Sequence, residues 1–393
     1  MKQISVGRFC TRIFPDRGGP AKHAHKLSEA LEHIGVKNCV IASKYCKKRS
    51  ADRIYSFHPL PICSPSTQTN PLSMLLFTLS FFVLGILYSL VYFLRSRVDL
   101  IHAHSPAISG IISLAVSKIL RKPLIITIHG FAGPKLSWAP NSGSYIEFLL
   151  EKTVLRNADH VITVSPDYRH LIELYSPQTS YSIIGNGVDI EYFSPASGDD
   201  EKKKLLLELG LDESSDIVTW VGNLNLEEKV RGVRDLIQAI DILVNLRKID
   251  CDVLLVGGGT HIDQISALIN QYNLEQSVHL LGFRDDIQTI LQASDIFVLP
   301  SHHEGSPNSL LEALSCGVVS IATHVGGVPR ILGDTGYLFR PGDSETLARH
   351  LQHMLANPDD RHQLSLKSRS RAESALSWET IAHKTTVQYQ LLI

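Results

Sequence analysis

The sequence has almost no net charge, no closely spaced cysteine pair and no GxGxxG motif after any expected strand. Its 38 Lys and Arg residues nearly balance 39 Asp and Glu residues, so the formal net charge of −1 gives no global attraction to nucleic acid or to membranes. The six cysteines form no CxxC pair, which argues against a zinc site and indicates reduced thiols in a cytosolic protein. The chain starts with a short strand-like stretch, so no signal peptide is expected. Without GxGxxG, a Rossmann dehydrogenase is disfavoured.

The composition, with 44% hydrophobic and 20% charged residues, is that of a globular protein with a large core. A length of 393 residues predicts two domains. Short apolar runs alternate with helical patterns in two successive sets, as in parallel sheets with crossover helices. We therefore predict an α/β protein with two facing, doubly wound Rossmann-like domains and a cleft between them. They are expected at 1–190 and 191–376, with 377–393 as a helix that packs back on the first domain.

A glycine-containing loop follows the first expected strand. Gly18 and Gly19 stand just before a helical pattern, so the loop has the form of a phosphate-binding βα turn. Adjacent glycines allow a backbone to approach a ligand closely. A simple tight turn is an equal alternative, because the full dinucleotide fingerprint is absent.

An uncharged apolar segment runs from Leu72 to Leu94 and is long enough to span a bilayer. Expected strands of one sheet lie on both sides of it, and a spanning helix would separate them. We therefore favour a helix that dips into one leaflet of the membrane. Two alternatives are a helix that is buried or faces a partner, and a helix that spans the bilayer. Residues 1–70 carry twelve Lys and Arg against four acidic residues, which suits an anionic membrane surface.

The stretch around which the chain is organised follows a buried strand ending at Leu299. Ser306 is expected to cap the next helix, with Pro307 as its first residue. The amides of Asn308 and Ser309 would then suit a phosphate at the carboxyl edge of the sheet. Two carboxylates flank this anion site, and carboxylates accept hydrogen bonds from sugar hydroxyls. They are Glu304 and Glu312.

Together these motifs resemble glycosyltransferase family 4, the retaining enzymes with the GT-B fold (glycosyl transferases group 1). The resemblance covers nearly the whole chain except 56–97. Its carriers are Gly18-Gly19, His102-Ala103-His104, His129-Gly130, Val164-Ser165, Asn186-Gly187-Val188-Asp189, Glu304 with Glu312, Gly326-Gly327-Val328-Pro329 and Ser377-Trp378-Glu379.

The resemblance implies a role for each matching residue. Glu312 would bind the ribose hydroxyls of a nucleotide, and Glu304 would meet the donor sugar near its reacting carbon. Amides around Asn308 to Leu310 would hold the diphosphate, with Ser306 beside them. His129 would face the donor sugar, and the Gly18-Gly19 loop would close on the donor.

The chain also departs from the family pattern at the diphosphate. Asn223 stands where the family usually has Arg. The family's Lys corresponds either to Lys229 or to Arg231, because the loop is longer here. No metal and no cofactor are expected, since helix amides and Lys or Arg can neutralise a departing diphosphate.

The resemblance thus implies a retaining glycosyltransferase of the hexosyltransferase type. It would move a sugar from a nucleotide-diphosphate-sugar donor to a lipid-linked glycan or glycolipid, in polysaccharide or glycolipid biosynthesis. We expect a cytoplasmic protein, peripheral on the inner face of the cell membrane through residues 72–94, with no nucleic-acid partner. The alternatives are a non-catalytic donor-binding subunit and a nucleotide-sugar epimerase or phosphorylase of the same fold. The donor base and sugar, the acceptor, the linkage and the oligomeric state stay open.

Overall fold

The chain forms two compact units in the computed structural model, which describes residues 3–13, 19–43, 53–62, 71–130, 145–198 and 200–393. The first unit comprises Met1–Gly187 and Trp378–Ile393, and the second comprises Val188–Ser377. The sequence had placed these boundaries after residues 190 and 376. Each unit contains one parallel sheet with helices around it, so the predicted α/β class with two doubly wound domains is confirmed.

The sheet of the first unit has the strand order β3-β2-β1-β4-β5-β6-β7, and every described pair is parallel. Its central strands are rich in β-branched residues and buried on both faces, as parallel sheets require. The strands are β1 (Ser5–Cys10), β2 (Lys37–Ala42), β3 (Ser56–Pro59), β4 (Leu100–Ala103), β5 (Leu124–Ile128), β6 (His160–Thr163) and β7 (Ser180–Ile183).

In the described residues, the first unit has five α-helices before the chain passes to the second. They are α1 (Gly19–His33), α2 (Pro71–Arg95), α3 (Ile108–Leu120), α4 (Tyr145–Asn157) and α5 (Arg169–Tyr175). The apolar segment is thus one helix, α2, which packs on α3 and on the sheet. Phe81 and Phe93 are buried in the core of this unit. Within the described residues, one stretch has the length and apolar composition to cross a membrane, Thr78–Arg95 of α2, and 22% of it is buried.

The sheet of the second unit has the order β10-β9-β8-β11-β12-β13 and is also parallel. Its strands are β8 (Ile217–Val221), β9 (Asp252–Val256), β10 (Val278–Gly282), β11 (Ile296–Leu299), β12 (Val319–Thr323) and β13 (Gly336–Phe339). Its helices are α6 (Asp200–Leu209), α7 (Glu227–Asp241), α8 (Ile262–Gln271), α9 (Ile287–Gln292), α10 (Asn308–Ser315), α11 (Val328–Leu332), α12 (Ser344–Ala356) and α13 (Pro358–Arg371).

The last helix, α14 (Trp378–Gln390), belongs to the first unit, where it packs against α1. Trp378 and Tyr389 are buried there in one cluster with strand residues of that sheet. In both sheets the strand order reverses at one point, between β1 and β4 and between β8 and β11. In doubly wound proteins the carboxyl ends of the strands at such a point form the ligand site.

Candidate active site

The second unit has a cavity of about 380 Å³ at the carboxyl ends of β8, β9 and β11. It brings together six of the residues that the sequence assigned to the donor site: Asn223, Lys229, Glu304, Asn308, Ser309 and Glu312. The rest of its lining comprises Val221, Gly222, Val256, Gly257, Phe283, Arg284, Ile287 and Pro307. The cavity therefore lies at the point of this sheet where the topology favours a ligand.

A lysine and a glutamate form an ion pair in this cavity. Lys229, in the first turn of α7, contacts Glu304, which lies in the loop after β11. The Lys229 Nζ also donates a hydrogen bond of 3.1 Å to Ser301 Oγ. The Lys229 side chain is 24% exposed and the Glu304 side chain is 12% exposed, so the pair is largely shielded from water. A ligand that offers an anion to the lysine and a hydroxyl to the glutamate can replace both halves of the pair.

The start of α10 differs by one residue from the prediction. Pro307 occupies the cap position with an extended ψ of 119°, and the first helical residue is Asn308. The predicted cap by Ser306, with Pro307 inside the helix, was therefore wrong. Pro307 itself forms no side-chain hydrogen bond to the helix. The prediction relied on the preference of proline for the first helical position. In this helix the proline is instead the residue just before that position.

The first residues of α10, Asn308 and Ser309, line the cavity. The Leu311 amide donates to the Pro307 carbonyl at 3.3 Å. The amides of Asn308, Ser309 and Leu310 therefore precede the first hydrogen bond within the helix, and they share the positive end of its dipole. The Leu310 side chain is fully buried in the core, so this residue can serve a ligand only through its backbone.

The cation facing the cavity is Lys229 rather than Arg231. The Arg231 side chain is exposed and does not line the cavity. Arg234, one turn further along α7, is also exposed and donates to Gln264 Oε1 at 3.2 Å. Asn223 lines the cavity at the end of β8, where its Oδ1 accepts a hydrogen bond from the Asn225 amide.

One cavity cation, Arg284, was missed in the sequence. It follows β10, and its guanidinium donates to the Asp286 carboxylate at 2.8 and 2.7 Å and to Glu208 at 3.2 Å. These bonds lower the pKa of Asp286. Its position just after the carboxyl end of a strand was the signal that could have identified it. Because two carboxylates already share this guanidinium, Lys229 is the better candidate to meet a ligand.

Helix α7 packs against the loop that carries Glu304 and holds it in place. His302 Nε2 lies 2.7 Å from Asp235 Oδ2, which also accepts the Gly342 amide at 2.9 Å. Gly232 allows α7 to approach the loop, since a Cβ there would lie 2.5 Å from the carbonyl oxygen of Pro300. The Lys229 end of α7 is thereby kept against the loop that carries Glu304.

The first unit holds the remaining predicted site residues. Gly18 lies outside the described residues. Gly19 is the first residue of α1, it is exposed, and a Cβ there would meet nothing within 4 Å. His129 directly follows β5, and its ring lies 4.5 Å from the ring of His23 between centroids. Burial lowers the pKa of His129 to about 4, so its imidazole is neutral at neutral pH.

Other histidines lie close to His129, and the sequence had indicated no role for them. His102 is clamped between Tyr389 of α14 and Thr127 of β5, with 2.7 Å from Nδ1 to the phenol and 2.7 Å from Nε2 to the hydroxyl. Its ring stacks on His104 at 4.5 Å. Burial above all, and then neighbouring cationic groups, hold the pKa values of His23, His102 and His104 well below the ordinary range.

Comparisons with known proteins agree with this architecture. Residues 17–192 match the model "Glycosyltransferase Family 4", and residues 215–357 match "Glycosyl transferases group 1". The N-acetyl-alpha-D-glucosaminyl L-malate synthase of Bacillus anthracis is 28% identical over 304 residues, which cover 76% of each chain. The UDP-Gal:alpha-D-GlcNAc-diphosphoundecaprenol alpha-1,3-galactosyltransferase of Escherichia coli is 31% identical over 242 residues, which cover 59% of each chain.

Among solved structures, sucrose-phosphate synthase from Thermosynechococcus elongatus superimposes with a TM-score of 0.79 at 22% identity, and 99% of each chain is covered. At that identity the likeness shows the fold, which is GT-B. The two family models lie on the two units, one on each, and the relatives are glycosyltransferases. The chain is therefore a glycosyltransferase that belongs to family 4, group 1, with the GT-B fold.

Proposed function

We propose that the enzyme transfers a hexose from a nucleoside-diphosphate sugar to an acceptor, with retention at the anomeric carbon. The observation that carries this is the cavity of the second unit, where the Lys229–Glu304 pair faces the start of α10 and Glu312. A cation and helix amides suit the diphosphate, and two carboxylates suit the hydroxyls of two sugars. The name of the E. coli relative includes UDP-Gal, which supports a donor of this class.

In the proposed reaction the bond between the anomeric carbon and the diphosphate breaks. Lys229 and the amides of Ser309 and Leu310 stabilise the negative charge on the departing nucleoside diphosphate. Glu304, released from Lys229, stabilises the positive charge that develops on the sugar. The acceptor oxygen attacks on the face from which the diphosphate leaves, and its proton passes to a departing phosphate oxygen. These groups neutralise the diphosphate, so we propose that the step needs no metal ion.

A thermal-shift screen of nucleoside diphosphates and their sugar conjugates tests the donor site. One nucleoside diphosphate at 100 times its dissociation constant should add about 2.7 kcal/mol to the stability of the wild type. Glu312→Ala should lose this effect, whereas Glu275→Ala, at an exposed position outside the cavity, should keep it. If no nucleotide stabilises the wild type, or if Glu312→Ala responds equally, the proposed donor site is wrong. The anomeric configuration of the first product, measured by NMR, tests retention.

We further propose a lipid-linked acceptor at the cytoplasmic face of the cell membrane, with α2 resting on the bilayer. One face of α2 is buried, and the other presents an apolar stripe whose side chains are 44% to 62% exposed. The stripe comprises Leu76, Leu79, Val83, Leu87, Val91 and Leu94. The exposed Arg95 and Arg97 follow it and suit anionic headgroups. Strands from before and after α2 lie in one sheet, which favours a surface helix over a span.

Sedimentation with phosphatidylglycerol vesicles tests this contact. The wild type should sediment with the vesicles, and the doubly substituted variant Val83→Asp, Leu87→Asp should not, because it puts charge on the lipid-facing stripe. Leu207→Asp is the matched control, since Leu207 is 74% exposed but lies on α6 of the second unit. Equal sedimentation of wild type and double variant would exclude α2 as the membrane contact.

A further inference from the structure

The first unit contains a buried cation that no carboxylate of the described residues contacts. Arg8, on β1, is completely inaccessible to solvent. Its Nη1 donates to Ser28 Oγ at 2.7 Å and its Nε donates to His104 Nε2 at 3.1 Å. Within the described part of the chain, Arg8 forms no ion pair. Buried charges in proteins are normally paired, because the transfer of an ion from water to the protein interior costs roughly several kcal/mol.

Three neighbouring histidine rings, one of which contacts Arg8, have nitrogen atoms without a hydrogen bond among the described residues. They are Nδ1 of His23, Nδ1 of His104 and Nε2 of His129, all buried and without a hydrogen bond among the described residues. Each ring has a nitrogen within 4.8 Å of a nitrogen of the other two. His23 is 3% exposed and His104 is 5% exposed. Buried polar atoms are rarely left unsatisfied, so three in one place indicate a ligand site.

The tautomer of His104 decides which kind of ligand fits. A guanidinium N–H can only donate, so His104 Nε2 accepts from Arg8 and carries a lone pair. Burial and Arg8 lower the pKa of His104 and keep its ring neutral, so its one proton lies on Nδ1. An N–H cannot ligate a metal ion, and the nearby guanidinium repels a cation. The same N–H and the same positive charge attract an oxyanion.

The fold places this cluster where a ligand can be expected. His104 follows β4, His129 follows β5, and His23 lies on α1, which follows β1. Strands β1 and β4 pair in parallel, with Phe9 opposite Ala103, at the point where the strand order reverses. The cluster therefore occupies the carboxyl edge of the first sheet at its switch point.

We infer that Arg8, His23, His104 and His129 form a binding site in the first unit for an oxyanion, a phosphate or carboxylate group of the acceptor. Arg8 is a positioning residue, since it acts through His104, whose Nδ1–H it fixes and polarises. Assigning the oxyanion to the acceptor rests on the proposed function. Oxyanion binding itself does not depend on it.

Imidazole NMR on the full chain labelled with ¹⁵N-histidine tests this site directly. Spectra are recorded during titration with inorganic phosphate, with malonate and with ZnCl₂, and the signals are assigned with His23→Gln, His104→Gln and His129→Asn. His104 should be the Nδ1–H tautomer, and one oxyanion should shift the cluster signals to saturation. Whichever of phosphate and malonate binds more tightly names the acceptor's anionic group. An Nε2–H tautomer, a saturating shift with zinc alone, or no shift with either oxyanion overturns the inference.

Two variants separate a binding role from a structural one. Arg8→Gln and His23→Gln should each weaken oxyanion binding about tenfold or more, which is about 1.4 kcal/mol. Without ligand, Arg8→Gln should melt at the wild-type temperature or above it, because it removes an unpaired buried charge. A lower melting temperature with unchanged oxyanion affinity would make Arg8 structural. His58→Gln, on β3 and stacked on Tyr92, is the matched control and should bind as the wild type does.

The test of the oxyanion site and the test of the proposed donor site can fail independently. Nucleoside diphosphates report on the cavity of the second unit, and imidazole shifts report on the first. If nucleotides stabilise the chain but no oxyanion moves the cluster signals, this inference alone fails. If oxyanions bind the cluster but no nucleotide stabilises the chain, the proposed donor site fails and the oxyanion site stands.

Discussion

The two units share a parallel doubly wound sheet but treat charge in opposite ways at its carboxyl edge. In the second unit Lys229 and Glu304 form an ion pair in the cavity and neutralise each other. In the first unit Arg8 stands among neutral imidazoles, and no described carboxylate balances it. The charges at the edge of the second sheet are thus balanced by each other, whereas the charge of Arg8 at the edge of the first sheet is not balanced by a described carboxylate.

This difference shows how one topology can serve two kinds of ligand. A paired lysine and glutamate can separate to meet a substrate that carries both an anion and hydroxyls, and they close again when it leaves. A lone buried guanidinium costs stability until an anion arrives, so the first unit gives up stability for selectivity.

The largest effect is expected from Gly257→Ala in the second unit. Gly257 has φ +129°, and a Cβ there would lie 1.8 Å from the carbonyl oxygen of Gly222. The loops after β8 and β9 would have to separate, so the free energy of unfolding should fall by about 4 kcal/mol. Urea denaturation with a probe of the second unit, such as Trp220 fluorescence, measures this.

Gly19→Ala in the first unit is the matched control. A Cβ at Gly19 meets nothing within 4 Å, and its φ is not in the left-handed region, so stability should change by less than about 0.5 kcal/mol. If both substitutions cost the same, the close approach of the two loops in the second unit does not shape its cavity.

Lys229→Met should have the next largest effect. It removes the cation that faces the diphosphate, and loss of one such charge-stabilising group lowers kcat about 10²–10³-fold, roughly 2.7–4 kcal/mol. Glu304 would also be left without its partner. Steady-state kinetics with the donor identified by thermal shift provide the measurement. Lys203→Met, at an exposed position on α6, should keep the wild-type kcat, and an active Lys229→Met variant would contradict the proposed role.

The sequence predicted features that depend on neighbouring residues in the chain better than features that depend on contacts between distant residues. Local patterns were sufficient for the buried strand predicted to end at Leu299, which the structure places at Ile296–Leu299. They failed for β3 (Ser56–Pro59), which carries a proline and a histidine and is not buried. They placed the start of α10 one residue early, because the preference of proline for the first turn does not fix its ψ.

The site was predictable where family motifs carried its residues, as Asn223 and Lys229 in one stretch and the glutamates in another show. Glu304, Asn308 and Glu312 lie within nine positions and were found together. Arg8 was not, since an arginine in a strand pattern suggests a solvent-facing position. Its contact with His104 spans 96 positions and exists only because β1 and β4 are neighbours in the sheet. Long-range pairing of this kind cannot be derived from spacing along the chain.

A moderate effect is expected from acidification. The ordinary histidine pKa is 6.5, and burial lowers that of His129 to about 4. Between these values the unfolded chain binds a proton that the folded chain does not, so stability falls as the pH falls from about 6.5 to about 4. His23 and His104 add to the same trend. Melting temperatures from pH 7 to pH 5 should fall less steeply for His129→Asn than for the wild type, and equal slopes would contradict this.

The smallest effect should come from Arg231→Gln, and a small effect is informative here. Arg231 lies only two positions after Lys229, and the sequence alone left either residue as the cation at the diphosphate. The structure puts Lys229 in the cavity and leaves the Arg231 side chain exposed outside it. Loss of an exposed charge should change nucleoside-diphosphate affinity less than about fivefold, since exposed pairs contribute below roughly 1 kcal/mol. If calorimetry instead shows a large loss for Arg231→Gln and none for Lys229→Met, Arg231 moves into the cavity when the donor binds, and the self-neutralised pair of the second unit is not the group that meets the substrate.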